Sequence, residues 1–143
     1  MNKTLQKIVL SAVLFGAVQA TFAADPKPEE EIRYRQSSFN VIGRSFGYLG
    51  AVAKGEKPYD QAAAVKAASV VDLLSTLPFG SFVAGTDGVV PGFKHKADPK
   101  IWSEPAKFKE AAEKFQFEAA KLPAAAKDLE TLKLQVGAVG KTC

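Results

Sequence analysis

The sequence predicts an all-α protein: an antiparallel four-helix bundle running up-down-up-down, with one long loop between its second and third helices. Three observations predict it. Apolar residues recur at alternating spacings of three and four in separate stretches, capping and helix-breaking residues fall between those stretches, and nowhere does the pattern suggest a strand.

A chain of 143 residues is sized for one domain with a real core. Its first residues are not expected to join that core. Lys3 and Lys7 precede an apolar run from Ile8 to about Ala20, and Thr21-Phe22-Ala23 puts small residues where a signal peptidase reads. Residues 1–23 are therefore expected to be a cleaved secretory signal, with Ala20 the second choice of cleavage site, and 24–143 the mature domain. The apolar run is shorter than the ~20 residues that span a bilayer, so no membrane association is expected after cleavage.

Without Lys3 and Lys7 the chain carries 17 basic residues against 15 acidic ones, so the formal charge falls from +4 to +2. Lysines such as Lys107, Lys109 and Lys114 alternate with Glu110 and Glu113, the pattern of a solvated helix face. No clustered cationic surface of the kind nucleic acid requires is present, and nucleic-acid partners are excluded on that ground. One cysteine in an exported chain also excludes an internal disulfide framework.

The first helix is announced by Pro26, Pro28 and the acids Glu29, Glu30 and Glu31, which suit the positive end of a helix dipole. From Ile32, alternating steps of three and four reach Arg35, Phe39, Ile42, Phe46, Leu49 and Ala53. The intruder on this seam is Arg35. Either it snorkels along the bundle to water, or Arg35 and its neighbour Gln36 bind an acidic group of a cofactor held between helices, where charge-assisted bonds contribute ~1.5–3 kcal/mol each.

Gly55 and Pro58 make the turn that follows, and Asp60 is placed to cap the second helix. Its alanines from Ala62 to Ala68 allow close approach, Val70, Leu73, Leu74 and Leu77 supply bulk, and Pro78 ends it. Periodicity then disappears from Phe79 to Trp102, a connection too long to be idle. Its aromatics Phe79, Phe82, Phe93 and Trp102 predict that it packs down. His95, the single histidine, reads as a surface residue without a spaced metal-ligand partner.

Ser103 is expected to cap the third helix, with Glu104 and Pro105 in its first turn and Phe108, Ala112, Phe115, Ala119 and Leu122 as its inner stripe. Pro123 breaks or kinks it. Asp128 caps the fourth helix, whose stripe Leu129, Leu132, Val136 and Val139 continues to Cys143. A thiol at that inner edge is a small core residue, half of an intermolecular disulfide, or one half of a covalent cofactor attachment. No Ser/His/Asp set, carboxylate dyad or glycine-rich phosphate loop appears, so the chain is not expected to be an enzyme.

Taken together, Ile32 to Ser37, Lys54 to Asp60, Leu77-Pro78-Phe79 with Phe82 and Gly85-Thr86, Ile101 to Phe108 and Val136 to Cys143 resemble the cytochromes c prime of bacterial periplasms. The likeness spans essentially the whole mature chain. It implies a periplasmic four-helix bundle, commonly a homodimer, holding one haem c near the C-terminal end of the fourth helix. The family's attachment motif is Cys-x-x-Cys-His, with two thioethers and a proximal histidine. Cys143 matches the first cysteine, so the resemblance implies that this sequence is truncated within the motif, the second cysteine and the iron ligand lying just beyond it.

Residue by residue, Arg35 and Gln36 match the family's haem-contacting pair, whose arginine meets a propionate. Phe39 matches the distal position, where an apolar side chain blocks the sixth coordination site, and Phe79, Phe82 and Phe115 match pocket-lining positions. A five-coordinate iron with a dry, crowded open face, admitting NO and CO more readily than anions, is what the resemblance implies. An acidic residue common in the family before the tryptophan is replaced here by the longer, more basic Lys94-His95-Lys96-Ala97-Asp98. The expected function is electron transfer or gas binding, with an unidentified redox partner. The alternatives are a haem-free exported helical dimer or interaction module, and a non-covalent haem bundle using His95.

Overall fold

In the computed structural model, which describes residues 27–143, the first helix α1 (Pro28–Ala53) opens on Pro28 after an extended Lys27. Proline costs nothing there because the first helical N–H has no intrahelical partner, and Glu29, Glu30 and Glu31 favour the same end electrostatically. The expected signal, residues 1–23, lies outside the described residues.

Gly55 ends the helix at φ 76°, a left-handed conformation that side-chain-bearing residues rarely adopt. Asp60 then caps α2 (Gln61–Leu74), its carboxylate accepting from the Ala63 N–H at 2.7 Å. A 3₁₀ turn (Pro78–Ser81) and a short α3 (Lys100–Ser103) lie in the long connection. The next helices are α4 (Pro105–Ala119), α5 (Leu122–Ala125) and α6 (Leu129–Gly140). Apart from turns, irregular stretches such as 94–98 and one isolated bridge between Val90 and Phe93, the described residues are helical. In that turn Pro91 and Gly92, the latter at φ 82°, occupy the two central positions that a type II turn assigns them.

The four-helix expectation holds, with α4 and α5 as one long helix interrupted at Ala120 and Lys121, and Pro123 in the first turn of α5. Asp128 caps α6 by accepting from the Thr131 N–H at 2.9 Å. Five details differ. Ser103 does not cap the third helix: it closes α3, and Glu104 takes the position before Pro105 without a side-chain cap bond. On α1 the buried face is Ile32, Arg35, Ser38, Ile42, Leu49 and Val52, not a strict alternation ending at Ala53. A 3.6-residue helix drifts by ~20° per heptad against a 3.5 repeat, which turns Val52 inward.

On α2 the inner face runs through Ala64, Ala68, Val71 and then Ser75, leaving Leu73 outward and 73% exposed, with Leu77 also exposed. An 18-residue window within 61–81 reaches a mean hydropathy of 1.4, high enough to pass for a membrane span by composition. Alanines packed between helices raise that average, and the α-helix ends at Leu74. α6 stops at Gly140, so Cys143 does not continue the buried seam but lies exposed in the turn beyond it. His95 is half-buried rather than on the surface, its Nε2 donating to the Gly88 carbonyl at 2.8 Å.

One end of the bundle is tightly closed. Leu49 and Val52 of α1, Ala64 and Ala68 of α2, Ala119 of α4, Leu122 and Ala126 around α5, and Leu132 of α6 are all buried in one cluster. The alanines let α2 lie close to α1 and α5. Tyr59 fastens this end, its hydroxyl donating to the Ala126 carbonyl at 3.0 Å. Gln135 of α6 donates to the Glu118 carbonyl at 2.9 Å and its carboxylate at 2.8 Å. On the outer faces Lys109 pairs with Glu113, Lys114 with Glu110 and Lys133 with Glu130, the solvated pattern expected, and such exposed pairs contribute little stability.

Candidate functional site: an aromatic cavity at the open end

The opposite end of the bundle is aromatic, and its side chains do not fill it. A cavity of about 380 Å³ lies between the middle of α1, the first half of α4 and the chain beyond α6. From α1 it is lined by Phe39, Ile42, Gly43 and Phe46, one face of two successive turns. Phe108, Ala111, Ala112 and Phe115 face it from α4, Phe79 from the 3₁₀ turn, and Thr142 and Cys143 from the C-terminal turn.

The room arises from residue sizes as much as from helix placement. At Gly43 an added Cβ would meet nothing within 4 Å, and Ala111 and Ala112 are small where α4 faces it. Around the space the rings brace one another edge-on. Phe79 lies 5.8 Å from Phe39 and 6.1 Å from Phe115, centre to centre, while Phe82 lies 6.5 Å from Phe39 and 4.9 Å from Phe108. Such aromatic pairs contribute ~0.5–1.5 kcal/mol beyond the area they bury. Phe82 in turn packs 5.9 Å from Trp102, so the long connection does pack down.

Of the seven residues singled out in the sequence, Phe39, Phe79, Phe115 and Cys143 line this cavity. Phe82 stands behind the wall, against Phe39 and Phe108. Gln36 is exposed and donates from Nε2 to the Lys94 carbonyl at 2.8 Å, anchoring the basic segment of the loop to α1. Arg35 does not snorkel to water. It is 2% exposed, and its guanidinium donates to Ser81 and Thr86 across the α1–loop boundary. Burial pushes its pKa below the usual arginine value, partly offset by Glu31 one turn away.

Sequence reasoning assigned Phe46, Phe108 and Ala112 to the core stripes and did not assign Gly43, Ala111 or Thr142 to the site. Phe46 is one heptad from Phe39, and that spacing is a signal that could have linked them. The small residues carry no such signal, because only the facing helix shows that they border a space.

A cavity of this kind suits a large, flat, apolar group. Ligand sites commonly run to ~300–1,000 Å³ with mainly apolar walls, and here only Thr142 and the thiol interrupt the carbon lining. Cys143 stands at its edge, exposed, with Sγ 3.6 Å from the Val139 carbonyl. The residues present therefore fit a porphyrin attached through that sulfur. His95 is held on the loop by Gly88 and does not line the cavity, so it is not placed as an iron ligand there.

Comparison with known proteins agrees with this geometry. The family described as Cytochrome C′ matches residues 30–143. The Rubrivivax gelatinosus cytochrome c′ is 41% identical over 119 residues, covering 82% of this chain and 90% of its own. Its crystal structure superposes with a TM-score of 0.76, covering 82% of this chain and 91% of that one. The Alcaligenes xylosoxydans xylosoxydans cytochrome c′ is 40% identical over 119 residues, covering 82% of this chain and 89% of its own. Two solved variants of the Alcaligenes xylosoxidans cytochrome c prime each share 39% identity and cover 82% of this chain and 90% of theirs. One is ferrous with bound NO, at a TM-score of 0.72, and the other holds carbon monoxide, at 0.71. Sequence and fold together place the chain in the cytochrome c′ family, whose cofactor is haem c.

Proposed function

We propose that the mature protein works in the periplasm as a haem c carrier of electrons and a binder of small gases such as NO and CO, not as an enzyme. The observation that carries this reading is the aromatic cavity with the Cys143 thiol at its edge. Haem c, when bound, supplies an iron that exchanges one electron and accepts a diatomic ligand. The chain's own residues do the rest. Phe39, Phe46, Phe79 and Phe115 exclude water and favour small uncharged ligands over anions, which would lose their hydration on entering a carbon-lined space. Among the described residues that line the cavity, none carries a carboxylate or imidazole able to move a proton to a substrate.

The family likeness assigns Arg35 and Gln36 to the propionates, but neither lines the cavity here: the guanidinium donates to Ser81 and Thr86, and Gln36 to the Lys94 carbonyl. The signal at residues 1–23 accounts for export, and Tyr34 and Val41, exposed seven residues apart on α1, supply apolar surface for a homodimer. The deciding experiment is expression of the full-length gene product in a strain competent for cytochrome c maturation. The expected product has a Soret band, a haem that stays covalent after denaturation, and difference spectra with CO and NO. A colourless product would refute the proposal.

The exposed thiol gives one competing reading its own support: a haem-free exported dimer joined through Cys143. Non-reducing electrophoresis distinguishes the two. A reductant-sensitive dimer lacking haem would favour the second reading.

A further inference from the structure

Arg35 is the most deeply buried cation among the described residues, and it is bonded entirely to the long loop. Nη1 donates to the Ser81 carbonyl at 3.2 Å and to Thr86 Oγ1 at 2.8 Å, and Nη2 donates to the Thr86 carbonyl at 2.9 Å. One side chain thus holds the main chain on both sides of Phe82. The guanidinium stacks on the Phe82 ring, its Cζ 4.5 Å from the ring centre, with the Trp102 ring at 5.7 Å.

The clamped segment is built to stay in place. Thr86 Oγ1 donates onward to the Val83 carbonyl at 2.8 Å, and Trp102 Nε1 donates to the same oxygen at 3.2 Å. Gly85, at φ 81°, makes the reversal that brings Thr86 back to Val83. Phe82 does not border the cavity, but two rings that do, Phe39 and Phe108, rest against it.

We infer that Arg35 is a positioning residue for gas access: by clamping Ser81 and Thr86 and stacking on Phe82, it holds Phe82 behind Phe39 and Phe108 and so sets how tightly the aromatic wall closes. This rests on the gas-binding reading above and adds the residue that governs it at a distance. Phe39 is 40% exposed, and the loop rings braced against it are Phe79 and Phe82. Freeing Phe82 therefore frees Phe39 to swing. An arginine suits the task where a lysine does not, since its planar fork can donate in its own plane while its face stacks on a ring.

The test uses the full-length haem-bearing protein with three variants. Thr86→Val removes the Oγ1 bonds to Arg35 and to Val83 at a residue remote from the cavity lining, Arg35→Lys keeps charge but loses the fork, and Phe82→Leu shortens the strut. In Thr86→Val, amide hydrogen exchange across residues 81–86 is expected to rise at least roughly tenfold, the effect of losing the charge-assisted bond to Arg35 together with the bond to Val83. CO association after flash photolysis should be several-fold faster, with the reduction potential unchanged. Phe82→Leu should accelerate CO comparably, and combining it with Thr86→Val should add nothing further.

If Arg35→Lys does not fold, Thr86→Val decides alone. Loosened amides with a wild-type CO rate, or unchanged amides, would overturn the inference. A wild-type product without haem would instead overturn the functional reading beneath it.

Discussion

The two ends of this bundle are made from the same four helices and behave as different materials. At the closed end, Ala64, Ala68, Ala119 and Ala126 alternate with Leu49, Val52, Leu122 and Leu132, and aliphatic side chains interlock with little space. At the open end, phenylalanines meet edge-on around a cavity. Small residues have opposite consequences at the two ends. Ala68 lets a neighbouring backbone approach, whereas Gly43 faces a space that nothing in the chain enters. Stability is concentrated where helices touch, and binding capacity where rings hold them apart.

Truncation at the two ends should separate them most clearly. Leu132→Ala, at a position fully buried in the closed cluster, is expected to cost ~2–5 kcal/mol by denaturant unfolding, because the close-packed surroundings collapse only partly into the gap. Phe46→Ala removes a larger side chain but should cost less than the ~3–5 kcal/mol usual for buried phenylalanine, since its ring already borders the cavity. Equal losses at both positions would erase the distinction.

The second contrast adds atoms. Ala68→Leu should destabilise by ~1–3 kcal/mol through overpacking between helices. Gly43→Ala, in the interior of α1 with open space at its Cβ, should stabilise the haem-free chain by ~0.5–1 kcal/mol while lowering haem uptake. Thermal unfolding of the haem-free chain and covalent haem content after maturation read the two effects separately. Destabilisation by Gly43→Ala would mean that the space is smaller than its walls indicate.

For the wall itself, Phe39→Ala in the haem-bearing protein should raise the CO association rate roughly tenfold, equivalent to ~1.4 kcal/mol of barrier. An unchanged rate would show that entry does not pass this ring. Its unfolding midpoint should move less than that of Leu132→Ala.

The smallest expected effect is a pH dependence that belongs to the closed end. The Asp128 carboxyl is held below its ordinary range chiefly by the Thr131 N–H, and that of Glu118 by Lys121 and then Gln135. A depressed folded-state value means stability that is present above the ordinary carboxylate range, ~4, and is lost as pH falls through the folded values. The urea midpoint should therefore decline as pH is lowered below about 4. Asp128→Asn, which can still cap the helix but does not titrate, should flatten part of that decline. An unaltered pH profile would remove Asp128 from the account.

Much of the fold was legible because its signals are local. Asp60 and Asp128 each cap a helix through an N–H three residues on, Pro28 and the following acids mark a start, and Gly55 marks an end. Ser103 was misread because Lys100 to Ser103 form their own helical turn, so the residue that looked like a cap is already helical. Leu73 was misassigned because bulk suggested core, although Ala64, Ala68 and Val71 fix the inner face two residues out of phase with it. Cys143 follows the α6 spacing, but the helix it was counted on ends at Gly140.

The aromatic site divides in the same way. Phe39, Phe79 and Phe115 could be picked from the sequence through its likeness to a family, whereas Phe46 and Phe108 read only as core. Their position at a cavity depends on how far apart the helices lie.

By itself the sequence determined the helices, their order and most of their boundaries, since capping and periodicity act over three or four residues, and its likeness to the cytochromes c prime determined the cofactor. Tertiary structure decided which end is packed and which is hollow, that Cys143 stands exposed at the cavity edge, and that Arg35 holds Ser81 and Thr86, 46 and 51 residues away. The reason is physical: a buried guanidinium must be satisfied by something, but which backbone reaches it depends on the path by which a loop of 25 residues between Leu74 and Lys100 folds back across α1.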